Sequence, residues 1–291
     1  MKGVPLVLEV RDLWPESLTA VGFGNDRSML HRGLAKIAKF LYRRADHIVV
    51  VSPAFQEKLV SDWHVPAKKI STIHNGVETK LFSPRNGAEL RARLKLEDKF
   101  VVSYIGTIGL AHGLETIIEA AEKLQSAAPN VVFLIVGEGA DRARILAISK
   151  NRNLKNLVFE PQQPRESIPA YIAVSDVCLV LLKKSDVFET VIPTKMLEFM
   201  SCGRPVILGV KGQARKIVES SRAGICIEPE SPEVLCEAIQ QLRQQEFLRE
   251  MLGRNGREFI VQNLSRERTA FDYLELLQNL ASIKSTSRVA A

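Results

Sequence analysis

Short unbroken apolar runs alternate along this chain with longer stretches in which apolar positions return every three or four residues. The first pattern predicts buried parallel strands and the second amphipathic helices. Phe100–Ile105, Val131–Val136, Leu157–Glu160, Val177–Leu182, Val206–Val210 and Gly224–Ile227 are runs of the first kind, with helices such as Gly113–Ser126 and Asp141–Arg152 between them. This alternation predicts an α/β fold with a doubly wound parallel sheet and right-handed crossovers. Helices over Ser231–Arg243, Gln245–Asn263 and Arg266–Ser282 follow, with a frayed tail expected from Lys284 to Ala291. The first part of the chain is sparser. Strands are expected over Pro5–Val10, His47–Val51 and Ile70–His74, and helices over Ser28–Arg44 and Pro53–Ser61. Between the two parts, Thr79–Glu97 loses the rhythm around Pro84 and Asn86-Gly87, which predicts a domain boundary.

The stretch FETVIPTKMLEFMSCGRPV, Phe188–Val206, contains a helix with both ends marked. Pro193 suits a first turn, Gly203 suits a stop, and Pro205 opens the next strand. Lys195 and Glu198 are three residues apart and share a face, while Met196, Leu197, Phe199 and Met200 are left for the core. A helix start carries roughly half a positive charge and free N–H groups, so a start at Thr194 reinforced by Lys195 suits a pyrophosphate. Glu198 suits ribose hydroxyls. A surface ion pair is the plainer account of the same spacing.

Gly106–Gly113, GTIGLAHG, joins a strand to a helix, and its three glycines let backbone amides approach a phosphate. The loop does not match GxGxxG, which argues against a standard dinucleotide site. Glu138, within Gly137-Glu138-Gly139, offers a ribose partner or only a turn. The glycine loop, the strand end at Glu160 and the helix start at Thr194 fall on the carboxyl edge of one sheet, where open α/β sheets bind ligands. In the first part, Asp12 and Trp14 lie just past a strand end; they suit substrate chemistry and a cleft wall, or capping and packing.

With 291 residues, 46% hydrophobic and 25% charged, the chain has room for two domains and an ample core. Its formal charge of +7 favours anionic partners, whether nucleic acid, nucleotide phosphates or an acidic membrane surface. Over Ser28–Arg44, Leu30, Leu34, Ile37 and Leu41 share one face and Arg32, Lys36, Lys39, Arg43 and Arg44 lie elsewhere. That pattern fits docking on anionic lipid or an ordinary solvated helix. Cys178, Cys202, Cys226 and Cys236 show no CxxC and no His/Cys ligand spacing, and read as buried hydrophobes in a reducing compartment. No apolar run approaches the ~18 residues of a membrane span, so a cytoplasmic protein is expected.

Taken together, NGVETKLFSP, SYIGTIGLAHGLETIIEAA, LIVGEGADRARI and IPTKMLEFMSCGRPVI resemble a retaining glycosyltransferase of the two-Rossmann-domain (GT-B) type, family 4. RDLWPES with ETVIPTKMLEFMSCGRPVI is most similar to bacterial enzymes that build lipopolysaccharide O-antigen, capsule or exopolysaccharide, including N-acetylfucosaminyltransferase-like members. The resemblance implies residues 1–80 as a partial N-terminal, acceptor-side Rossmann-like domain and 81–97 as a linker. It implies 98–262 as the nucleotide-sugar domain and 263–291 as a C-terminal helix and tail. Glu198 corresponds to the second glutamate of the family's E-x7-E motif, which holds the donor ribose, and Lys195 is expected at the diphosphate. The first glutamate falls on Thr190, with Glu189 one place away as a substitute. Thr107 and His112 stand where the family often carries Arg and Lys, and Arg11-Asp12 where many relatives carry a catalytic histidine. The implied catalytic set is Lys195, Asp12 and Glu189; the implied donor set is Gly106, Thr107, Gly109, His112, Glu160, Thr194, Lys195 and Glu198.

The implied reaction moves a sugar with retention from a nucleotide-diphosphate sugar, expected to be a UDP-sugar, to a lipid-linked saccharide. Peripheral contact with the inner face of the plasma membrane is expected, and nucleic acid is not. No cofactor or metal is expected, since no Asp-x-Asp pair is present. A full N-terminal domain of this family would need about 100 further residues, so the expectation is a fragment, a split subunit or a misassigned start with a partner half. A nucleotide-sugar epimerase on the same fold and a non-catalytic nucleotide-sugar-binding subunit stay open as alternatives.

Overall fold

A computed structural model describes residues 4–16 and 28–289. The chain forms two compact units: residues 1–76, 190–192 and 264–291 make the first, and residues 77–189 and 193–263 the second.

In the first unit, β1 (Val7–Val10), β2 (His47–Val50) and β3 (Ile70–Thr72) form a parallel sheet in the order β1-β2-β3. Helices α1 (Met29–Arg44) and α2 (Pro53–Ser61) connect them. β2, the middle strand, is buried at every position, and its Ile48 and Val50 share a core with Leu13, Tyr42, Phe55 and Leu59. Both helices start on a serine whose hydroxyl accepts a first-turn amide: Ser28 from His31 N at 3.1 Å and Ser52 from Phe55 N at 3.4 Å. Ser52 Oγ also donates to the Thr190 carbonyl at 2.9 Å. The C-terminal helix runs from Arg266 to Val289, beyond the expected end at Ser282, because no glycine or proline interrupts it. Thr269 Oγ1 on that helix donates to the His74 carbonyl.

The second unit carries the expected six-stranded parallel sheet. Its strands are β4 (Phe100–Ile105), β5 (Val131–Val136), β6 (Leu157–Glu160), β7 (Val177–Leu181), β8 (Val206–Gly209) and β9 (Gly224–Cys226), in the order β6-β5-β4-β7-β8-β9. The chain winds outward from β4 to β6, then returns to β7 on the other side of β4. The carboxyl ends of β4 and β7 therefore flank the point where strand order reverses. β4, β5, β7 and β8 are buried at every position, as a sheet covered on both faces requires. Alternate residues of β4, Phe100, Val102 and Tyr104, enter one core with Ile117, Phe133, Leu179 and Ile239.

Helices of this unit are α3 (Ala88–Arg93), α4 (Glu115–Ala127), α5 (Arg142–Asn151), α6 (Ile168–Val174), α7 (Asp186–Glu189), α8 (Thr194–Ser201), α9 (Gln213–Ser221), α10 (Pro232–Gln244) and α11 (Glu246–Asn263). The segment 81–97, expected as a linker, is part of this unit's packing. Phe82 is fully buried, and its carbonyl accepts from Ser201 Oγ at 2.6 Å and from Arg257 at 3.0 Å. Arg91 of α3 pairs with Asp176 at 2.7 Å.

The loops after β4 and β5 fit against each other through two glycines. Gly137 (φ +146°) and Gly139 (φ +154°) lie in a backbone region that other residues rarely adopt. A methyl on Gly137 would overlap the Gly106 carbonyl oxygen, and one on Gly139 would overlap that of Ile108. The same approach lets Gly106 N donate to Val136 O at 2.9 Å and Ile108 N to Glu138 O at 2.8 Å.

Candidate active site

Helix α8 begins as expected at Thr194, with Pro193 just outside it as the cap residue. Among the described residues no side chain caps this start, and of its first amides that of Met196 donates to the Pro193 carbonyl at 3.0 Å. Met196, Leu197, Phe199 and Met200 are buried, which fixes the face presented by Lys195 and Glu198. The helix ends at Cys202-Gly203, where Gly203 takes φ +71°.

The Lys195 side chain lies beside Gly106 and ends on Tyr104. Its Nζ donates to the Tyr104 hydroxyl at 2.9 Å and lies 4.1 Å from the centre of that ring. Tyr104 in turn donates to the Thr107 carbonyl at 2.6 Å. No carboxylate pairs with Lys195 among the described residues, and burial lowers its pKa to about 7. The shift arises because burial disfavours the charged form.

His112 closes the same loop, edge-on to Tyr104 with ring centres 6.0 Å apart. Burial first, and the Lys195 charge second, lower its pKa to about 4 against an opposing contact with the Gly109 carbonyl. The imidazole is therefore neutral at neutral pH and supplies no fixed charge to a diphosphate. Its Nδ1 is 3.3 Å from Gly109 O, so the proton sits there and Nε2 keeps its lone pair.

Beside α8 a cavity of about 380 Å³ is lined by Gly106, Thr107, Glu138, Gln162, Arg165 and Glu198, among others. Its size suits a small-molecule ligand, and it stands at the carboxyl ends of β4, β5 and β6. Glu198, 19% exposed, is 3.9 Å from Arg165, which also pairs with Glu78 at 3.1 Å and stacks over Phe82 at 4.9 Å. A larger cavity of about 610 Å³ lies at the opposite, amino-terminal edge of the sheet, beside Asp176 and Pro205. Two of its arginines are tied to carbonyls, Arg204 to Ala173 and Arg257 to Ser201, so it reads as a packing seam.

Gly106, Thr107, Lys195 and Glu198 thus come together, with Thr194 at the helix start and Gly109 and His112 around the loop. The other expected residues do not join them. Glu160 accepts from the Tyr171 hydroxyl at 2.8 Å, which accounts for it as a structural partner. Glu189 is exposed at the end of α7 and lines a separate cavity with Lys183, Lys184 and Lys211. Asp12 is exposed and belongs to the first unit, as does Trp14, 46% exposed. Of the loop amides expected at a phosphate, those of Gly106 and Ile108 are already bonded to the β5 loop. Tyr104 and Arg165 were missed. Tyr104 reads as one more apolar position in a strand, whereas Arg165, a cation just after the Pro161 strand exit, was legible on the same edge-of-sheet argument.

A glycine loop, a helix start, a half-buried lysine and a carboxylate thus lie on one sheet edge. Residues 87–259 match the family described as glycosyl transferases group 1, and residues 1–81 match glycosyltransferase family 4. The chain belongs to the group 1 glycosyl transferases. It is 27% identical over 252 residues to an Escherichia coli K12 glycosyl transferase named for colanic acid biosynthesis, WcaI, covering 83% of this chain and 60% of that one. Against alpha-D-kanosaminyltransferase of Streptomyces kanamyceticus it is 30% identical, covering 87% of this chain and 65% of that one. The chain thus spans less than two thirds of the length of either relative. Anabaena HepE, solved with UDP and glucose, superposes with a TM-score of 0.79 at 19% identity, over 94% of this chain and 71% of that one. The fold is α/β of the GT-B type, with Rossmann-like parallel sheets.

Proposed function

We propose that this chain binds a nucleotide-diphosphate sugar, a UDP-sugar, in its second unit and takes part in moving the sugar to a lipid-linked saccharide with retention, in bacterial surface polysaccharide biosynthesis. The observation that carries this reading is Lys195 and Glu198 one turn apart at the start of α8, Lys195 beside the Gly106 turn and Glu198 lining the same cavity as Gly106. Glu198 takes ribose hydroxyls and Lys195 takes the diphosphate. Departure of the diphosphate builds negative charge, so groups aimed at it lower the barrier more than they tighten substrate binding. Lys195 and the α8 amides do this, and no metal is required. Support for the polysaccharide part of this reading comes from relatives named for colanic and teichuronic acid biosynthesis. Calorimetry across a panel of nucleotide sugars, followed by product analysis with lipid-linked acceptors, tests the reading. Failure to bind any UDP-sugar sinks it. One observation favours a second reading, a nucleotide-sugar binder without transfer: His112 is neutral and Thr107 carries no charge, so the loop brings no cation of its own. Binding without transfer to any acceptor would select it.

The same proposal places the chain at the cytoplasmic face of a membrane through α1. No helix among the described residues is long and apolar enough to cross a membrane. α1 contains no acidic residue, exposes Leu30, Ile37 and Phe40 at 64%, 57% and 64%, and exposes Arg32, Lys36 and Lys39. Phosphatidylglycerol vesicles are expected to sediment the chain at low salt and release it at high salt. Lys36→Glu with Lys39→Glu should abolish the effect; equal binding to neutral vesicles would refute the electrostatic part.

A further inference from the structure

We infer that Tyr104 is a positioning residue for Lys195, an inference that rests on the donor-site reading above. Tyr104 is fully buried on β4, where its ring packs in the core. Its hydroxyl, at the carboxyl end of that strand, is held on one side by donation to the Thr107 carbonyl at 2.6 Å. The oxygen's lone pairs are thereby turned to Lys195, whose Nζ donates to it at 2.9 Å, and the ring face lies 4.1 Å from the same nitrogen. Two weak holds, a neutral acceptor and a π-face, fix the ammonium beside the Gly106 turn without cancelling its charge.

A carboxylate in that place would pair with Lys195 and compete with any diphosphate. A phenol does not, because its own pKa is pushed up by burial and it stays neutral. An ammonium has three donors, and Tyr104 occupies one. A strand residue that looks like core thus aims the site's cation. His112 is the other titratable group against Tyr104, and it is neutral above about pH 5, so it is silent where Lys195 titrates.

The test is Tyr104→Phe in the full 291-residue chain, which keeps the ring and removes the hydroxyl. UDP affinity is expected to fall about fivefold, the scale of one neutral hydrogen bond, with uridine affinity unchanged. Without the oxygen the protonated lysine loses an acceptor, so the pH above which UDP affinity declines should move down. In a Lys195→Met background, Tyr104→Phe should change UDP affinity no further. Equal losses for UDP and uridine, or a loss that persists beside Lys195→Met, would make Tyr104 structural only. If the parent chain binds no UDP, the functional reading falls and this inference with it. If it binds UDP and Tyr104→Phe alters neither the UDP-to-uridine ratio nor the pH profile, this inference alone falls.

Discussion

Lys195→Ala should weaken UDP about ten- to a hundredfold, the range of one hydrogen bond to a charged group, while uridine binds as before. The difference isolates the diphosphate, the part of UDP that uridine lacks. Acidity provides a second signature. Lys195 has a pKa of about 7 in the folded chain because burial disfavours its charge. A bound diphosphate restores the charged form, so UDP binding takes up a proton above pH 7, and affinity declines as pH rises through that region. The alanine variant should show neither effect. Stability moves in the opposite sense. Below pH 7 the lysine is charged in both the folded and unfolded chain, and folding carries its full desolvation cost. Between about pH 7 and 10.5 the unfolded chain holds the proton and the folded chain does not, so the cost is relieved as pH rises. Lys195→Met should therefore stabilise the ligand-free protein by on the order of 1–3 kcal/mol near pH 6.5, with the gain shrinking toward pH 10. Melting curves at the two pH values check this. Equal UDP and uridine losses would make Lys195 structural.

Glu198→Ala should behave differently, weakening UDP and uridine alike by about 1.5–3 kcal/mol for each charge-assisted bond to a ribose hydroxyl. Its carboxylate lines the cavity, 3.9 Å from Arg165. Arg165 keeps Glu78 as a partner, so the loss of Glu198 should leave the melting temperature nearly unchanged. Calorimetry with both ligands decides it, and unchanged affinity for the nucleoside would remove Glu198 from the site.

The sheet of the second unit was readable because parallel strands covered on both faces leave unbroken apolar runs, and each of the six appears where such a run lies. Lys195 and Glu198 were readable because a helix fixes which residues share a face. Segment 81–97 was harder, since polar and charged residues break its apolar pattern and the Phe82 carbonyl is claimed by groups distant in sequence, Ser201 and Arg257. Glu160 and Glu189 stand apart from Lys195 and Glu198 for a related reason. Proximity to a strand end or to a motif says nothing of which partner claims a carboxylate, and Tyr171, eleven residues after Glu160, claims that one.

The tight seat of Gly137 and Gly139 on the β4 loop separates two kinds of change in this site. The fit between the two loops is made by main chain, and a single added carbon at either glycine would push them apart. Thr107, Glu138, Gln162 and Gln163, by contrast, border the cavity with their side chains. Exchanging those side chains one at a time therefore changes the cavity wall while the fit between the two loops stays as it is.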